Sequence, residues 1–162
     1  MQVRSAVPTD IPAIARIELS AGELFQNTHM DWAAGETTDP AKLLRAIADN
    51  NVLIAVVAET PAGFLLADIC DNNFHICEVA VDQQFRGKRV GVALLETGLF
   101  EARNRGYAFA SLTTDRALPW NATYYESLGF RILAPDETPP ELAIILAGEP
   151  NPHLRCAMLR PL

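Results

Sequence analysis

The 162-residue chain is short of basic residues, cysteine and long apolar runs. Thirteen Lys and Arg stand against twenty Asp and Glu, a net charge of -7, so a basic face for gripping nucleic acid is not expected. No apolar run approaches the ~20 residues of a membrane span, and the opening MQVRSAVPTD lacks the apolar core of a secretory signal. Cys70, Cys77 and Cys156 are odd in number and lack metal-ligand spacing; all three sit in apolar stretches and are expected as small core residues of a reducing cytoplasm, with no metal. Repeats, low-complexity tracts and linkers are also missing, so residues 1–162 are expected to be a single domain.

What is present is an ordinary globular composition, 49% hydrophobic and 20% charged. QVRSA at the start predicts a strand. Ile11, Ile14, Ile17 and Leu24 keep helical spacing to about Phe25, with Thr9 or Asp10 as the cap. Gln26 to Asp39 shows no period, and Asp39 and Pro40 open a second helix. NVLIAVVAE is continuously apolar and predicts a strand covered on both faces. TPAG is expected to turn into FLLADIC, and DNN into FHICEVAVD, giving an antiparallel meander. A long helix follows from Val90, stopped by Gly106, and then YAFASLTT, a strand able to lie parallel to the one before the helix. PWNATYYESLG predicts a short helix capped by Asn121. FRIL and LRCAMLRPL close the sheet. Between them lie five prolines in 134–153, where ELAIILA fits either helix or strand. This order predicts an α/β (mixed α+β) fold, a mostly antiparallel sheet of about six to seven strands with about four helices and one parallel crossover.

Arg86, Lys88 and Arg89 crowd around Gly87 just ahead of the long helix. The first amides of a helix lack internal partners and carry partial positive charge, which suits a phosphate. The turn therefore reads either as an anion cradle or as a solvated basic cap. Neither the dinucleotide G-x-G-x-x-G pattern nor a P-loop is present.

EVAVDQQFRGKRVGVALL, with NATYYESLGF some thirty residues on, resembles the GCN5-related N-acetyltransferase (GNAT) family, and the element order resembles that family's fold along essentially the whole chain. The family's R/Q-x-x-G-x-G/A signature reads Arg86-Gly87-Lys88-Arg89-Val90-Gly91, so Arg89 replaces the first motif glycine. The resemblance implies acetyl-CoA as co-substrate. Amides from Arg86 through Gly87, Lys88, Arg89, Val90 and Gly91 to Val92 would then hold its pyrophosphate. Val79, Ala80 and Val81 would pair with the pantetheine arm where the sheet splays, one of their amides facing the thioester carbonyl. Asn121 would contact the arm, if it is not simply a helix cap. Tyr125 would protonate the leaving thiolate, and Tyr124 reads as packing.

An alkylamine is mostly protonated at neutral pH, so acyl transfer needs somewhere to put a proton. Glu78 lies beside the implied thioester site, on the face of Ile76 and Ala80 by strand alternation, and is the best-placed carboxylate for a base. Asp68 is a weaker alternative, and His75 faces the other way. The acceptor is expected against Phe25, His29, Asp31, Trp32 and Glu78, with Trp32 either holding a cation or plugging the core. Residues 134–153 close the other side or form a homodimer contact. The leading expectation is transfer of acetyl from acetyl-CoA to a primary amine of a small or amino-acid-like acceptor. The alternatives are a non-catalytic acyl-CoA sensor and a protein N-acetyltransferase.

Overall fold

A computed structural model describes all residues, Met1–Leu162. Seven strands, β1 (Gln2–Ser5), β2 (Val52–Val57), β3 (Thr60–Cys70), β4 (Asn73–Val81), β5 (Phe109–Asp115), β6 (Arg131–Ile132) and β7 (Arg155–Pro161), hydrogen-bond in the order β1-β2-β3-β4-β5-β7-β6. Five helices accompany them: α1 (Ile11–Gly22), α2 (Pro40–Ala48), α3 (Val90–Asn104), α4 (Ala122–Ser127) and α5 (Pro140–Gly148). The chain divides into two compact units, Met1–Ala67 with Glu78–Gly98, and Asp68–Cys77 with Leu99–Leu162.

In the first unit β1, β2 and β3 pair antiparallel. Val52, Ile54, Phe64, Leu66 and Ala80 pack against Ile14 and Ile17 of α1 and Leu43 of α2. The alternate residues Leu53 and Leu65 meet α3 at Gly98, where an added Cβ would come within 3.1 Å of Leu65 Cδ1. The expected two-sided burial and the cost of a glycine inside a helix both find their reason there. Asp39 caps α2 by accepting from Ala41 N–H at 3.0 Å. Asp10 does not cap α1 through its side chain. Its carboxylate is taken by Arg4 at 2.8 and 3.0 Å and by Val7 N–H at 2.8 Å.

The expected turn at TPAG lies two residues earlier. Ala58 and Glu59 make it with φ of 46° and 64°, the left-handed pair of a two-residue hairpin, without Gly or Asn. Thr60 and Pro61 already belong to β3, and the register shifts between Ala55 and Val56 as the strand passes Pro61.

In the second unit β4 and β5 run parallel over Phe74↔Ala110, His75↔Ser111 and Ile76↔Leu112, and β5 then pairs antiparallel with β7 along its full length. The β3–β4 turn, Asp71–Asn72, is left-handed at both residues. ELAIILA is helical, within α5, which adds a helix to the expected four. Leu142 packs with Cys70, Leu133 and Ala157. The helix is capped from a distant hairpin: Asp71 accepts from the N–H groups of Glu141 at 3.1 Å and Leu142 at 2.9 Å, and Glu141 accepts from Asp71 N–H at 2.6 Å. Cys70 and Cys156 are buried as expected, but Cys77, the first residue of β4 beyond its pairing with β5, is exposed.

Candidate active site

β4 ends at Val81, and Asp82 starts a short 3-10 turn, Gln83–Phe85, that is bolted to α1. The buried Asp82 carboxylate takes the Arg16 guanidinium, Ser20 Oγ at 3.1 Å and Gln84 N–H at 3.1 Å. Burial pushes its pKa up, but the Gln84 N–H, the Ser20 hydroxyl and Arg16 together outweigh it and hold the carboxyl below its usual range. Gln83 adds N–H to Ser20 Oγ at 3.1 Å and Nε2 to Ser20 O at 2.8 Å. The loop that follows is thus fixed at its root.

Arg86 and Lys88 do not offer free amides. Their N–H groups donate to Gln83 O at 3.1 Å and Phe85 O at 3.2 Å, closing successive turns. The expected donor set therefore narrows to Gly87, Arg89 and the start of α3. Ala93 N–H is the first there to find a carbonyl, Arg89 O at 3.1 Å, and Val90, Gly91 and Val92 ahead of it supply the unpaired first turn. Gly87 has φ 75°, and Arg89, at the motif's glycine position, has φ 59°. The arginine has taken the left-handed conformation, which costs a non-glycine residue roughly 1–2 kcal/mol. The side chains of Arg86, Lys88 and Arg89 are exposed around this turn, with Lys88 Nζ 4.9 Å from the Phe85 ring centroid. Gly63 lets β3 come close: a Cβ there would lie 2.8 Å from Ala80 O and 3.0 Å from Val90 Cγ1.

A diphosphate fits this arrangement: main-chain donors at a 15-residue helix start, a glycine where the backbone must be approached, and three cations. Pairing of β4 with β5 stops at Ile76↔Leu112, and Cys77 and Thr113, next in line, do not pair. The parallel ladder thus ends before β4 reaches Val79, Ala80 and Val81.

Glu78 is half-buried on the face of Ala80, toward α1 and α2. Its carboxyl is pushed up to about 7, first by burial, then by the charge and proton-sharing contact of Glu18; Lys42 and Thr38 pull the other way. Glu18 carries no signal in the sequence beyond a polar residue between Ile17 and Leu19, and it was not among the expected site residues. It is 5% exposed. Its Oε1 accepts Thr38 N–H at 2.9 Å and Thr38 Oγ1 at 2.5 Å, while Oε2 is buried without a donor. A buried polar atom left so costs about 1–3 kcal/mol, more for a charge.

Among the expected acceptor residues, Phe25 is half-buried and closes a 3-10 turn after α1, whereas His29, Asp31 and Trp32 are exposed. Trp32 is 43% exposed and does not plug the core; Met30, at 7%, is the buried side chain of that loop. The loop is pressed onto α1 at Gly22, where an added Cβ would meet Ala33 O at 3.0 Å.

Asn121 and Tyr125 lie in the second unit. Asn121 precedes α4 and receives Tyr124 N–H at 3.0 Å and Tyr125 N–H at 3.3 Å on its main-chain carbonyl; its side chain does not cap the helix. Tyr125 is half-buried, edge-on to Phe130 with centroids 6.0 Å apart and to Tyr124 at 5.3 Å. His75 is buried, with Nδ1 3.0 Å from Ser111 Oγ. Asp68 is exposed and accepts from Ile69 N–H. Cys70, Asp71 and Glu141 bring ligand atoms within 4.8 Å of one another. The Asp71 carboxylate there caps α5 and the Glu141 carboxylate is taken by Asp71 N–H, and burial, then the Asp71 hydrogen bond and the Asp71 and Glu141 charges, push the Cys70 thiol up to about 12, which disfavours the metal-binding thiolate.

The profile of the acetyltransferase (GNAT) family matches residues 21–130. The chain belongs to the GNAT family. It is accordingly an acyl-CoA N-acyltransferase. Solved structures share the fold from end to end. The PaiA N-acetyltransferase of Thermoplasma acidophilum, solved with coenzyme A, superposes with a TM-score of 0.75 at 15% identity, over 99% of this chain and 98% of that one. N-acetylglutamate synthase of Neisseria gonorrhoeae, solved with coenzyme A and N-acetyl-glutamate, gives 0.77 at 18%, covering 99% of this chain and 35% of that one. The ribosomal-protein-alanine N-acetyltransferase of Brucella melitensis gives 0.72 at 20% over 100% of both. No helix is long and apolar enough to cross a membrane.

Proposed function

We propose that this GNAT acyltransferase moves an acetyl group from acetyl-CoA to the primary amine of a small or amino-acid-like acceptor, directly, with both substrates bound together. The observation that carries the reading is Glu78, a half-buried carboxyl poised at about 7 on the strand that leads into the anion cradle. A base with that affinity for protons is half ionised near neutrality and takes a proton from an ammonium far more readily than an ordinary carboxylate does.

Acetyl-CoA supplies the activated acyl group. The first-turn amides of α3, at Val90, Gly91 and Val92, hold the pyrophosphate, with Arg86, Lys88 and Arg89 neutralising it. Val79, Ala80 and Val81 pair with the pantetheine arm along β4, and a strand amide there faces the thioester carbonyl, where negative charge develops. Asn121 contacts the same arm. Glu78 accepts a proton from the acceptor's ammonium so that the nitrogen lone pair is free to attack. Tyr125 donates its phenolic proton to the departing sulfur. Phe25, His29, Asp31 and Trp32 line the approach of the acceptor. The rest of the rate comes from holding two substrates in one geometry.

The test is a panel of primary amines and amino acids scored for acetyl-CoA-dependent release of free thiol. At least one aliphatic amine is expected to turn over, with a rate rising through about pH 7 as Glu78 ionises. Glu78→Gln should abolish that rise and lower the plateau by about 10²-fold or more. Tyr125→Phe should lower kcat about tenfold or more with the affinity for coenzyme A intact. An unchanged pH profile in Glu78→Gln removes its role as base, and full activity of Tyr125→Phe removes the acid.

A further inference from the structure

Glu18 is the one group at this site whose burial serves no purpose in the scheme so far. It spends Oε1 on Thr38 and keeps Oε2 buried without a donor. A glutamine in its place could accept from Thr38 equally well and would not bring a second carboxylate against Glu78. The groups that face Glu78 are Glu18 from α1, Thr38 from the loop before α2 and, from α2, the exposed Lys42. Two carboxylates in low dielectric cannot both stay charged unless a cation or a proton lies between them.

We propose that Glu18 Oε2 and the Glu78 carboxylate together form the seat of the acceptor's ammonium group, which takes the place of the single proton that the two carboxylates otherwise hold between them. This rests on the reading of Glu78 as the base and names the acceptor class: an unhindered alkylammonium, in preference to an alcohol or to an aromatic amine that is uncharged at neutral pH. The proton count closes. The ammonium gives one proton to Glu78 and becomes the neutral amine. As the C–N bond forms and the C–S bond breaks, a second nitrogen proton is lost and the sulfur gains one, so the thiol leaves neutral. Glu78 then returns its proton to water, and one ammonium and one thioester have given one amide, one thiol and one free proton. Glu18 is a positioning residue, fixing the nitrogen and setting the proton affinity of Glu78.

The experiment is carboxyl NMR of the whole protein labelled with ¹³C at glutamate Cδ, titrated with pH. In the unsubstituted protein the Glu78 signal should titrate near 7. Glu18→Gln should move that midpoint to lower pH by about one unit or more. Methylammonium chloride at about 0.2 M, compared with sodium chloride of equal ionic strength, should lower the midpoint in the unsubstituted protein and leave it in place in Glu18→Gln. Thr38→Val serves if Glu18→Gln fails to fold: Thr38 pulls the Glu78 midpoint down, so its loss should raise that midpoint, and with Glu18 still in place methylammonium should still lower it relative to sodium. A midpoint that ignores these substitutions, or two salts that act alike in the unsubstituted protein, overturns the seat. The seat and the base fail separately. A Glu78→Gln enzyme with its pH profile intact, alongside a methylammonium effect on the NMR midpoint, sinks the base and keeps the seat; the reverse pattern sinks the seat alone.

Discussion

At Glu78 the same physical fact that suits it to the proposed role of base also costs stability. The folded carboxyl titrates at about 7 and the unfolded one near 4.5. Between those values the folded protein holds a proton that the unfolded chain has released, so stability is full below about pH 4.5 and falls as pH rises to about 7. Glu78→Gln should therefore raise Tm at pH 8 by an amount equivalent to on the order of 2 kcal/mol, and change it little at pH 4. Equal Tm values at both pH values would show that the carboxyl is not held up by its surroundings. At Arg89 the balance is between backbone strain and chain entropy. Relief of a left-handed arginine is worth roughly 1–2 kcal/mol, and the added freedom of a glycine in the unfolded chain takes back about 0.4–1 kcal/mol. Arg89→Gly should stabilise by about 0.5–1 kcal/mol in urea titration while losing one charge toward the donor. Destabilisation would mean that the guanidinium makes a contact worth more than the strain.

Among the elements, the meeting of β3, β4 and α3 is the tightest point of the cradle. Gly63 permits it, because a methyl there would lie 2.8 Å from the Ala80 carbonyl, main chain that cannot rotate aside. Gly63→Ala should cost about 1–3 kcal/mol and raise KM for acetyl-CoA, since β4 and the first turn of α3 must separate to accept it. A change within about 0.5 kcal/mol would show that the strands yield freely. The elements that the sequence announced were those with local chemistry of their own: Asp39-Pro40 starting α2, Gly106 ending α3, and the apolar run of β2. Those it concealed depend on distant partners. The β2–β3 turn uses Ala58 and Glu59, residues with no turn preference, because the paired strands impose the geometry. The helix α5 is apolar on nearly every side, so its period is blurred, and its cap, Asp71, lies in a hairpin some seventy residues earlier. The site divided in the same way. Glu78 and the basic turn stood out by strand alternation and by local charge. Glu18 did not, since one polar residue in an amphipathic helix looks solvated until the fold brings Thr38 and Glu78 to it.

Over the whole molecule, charge is distributed against the donor and in favour of the acceptor. Arg86, Lys88 and Arg89 are three of only thirteen Lys and Arg, so the remainder of the chain is strongly acidic. That field attracts an ammonium and repels the phosphates of coenzyme A, and the basic turn must overcome it over a few ångströms. Salt separates the two contributions, because both are screened over about 10 Å at moderate ionic strength. With the turn intact, attraction dominates at contact, and raising the salt should raise KM for acetyl-CoA. In the triple variant R86Q/K88Q/R89Q the basal KM should increase about tenfold, from three exposed charges at roughly 0.5 kcal/mol each. What is left in that variant is repulsion, so added salt should now lower KM toward a common high-salt value. The reversal of sign is the decisive reading: a triple variant whose KM climbs with salt in parallel with the parent would mean that the phosphates are held by other cations.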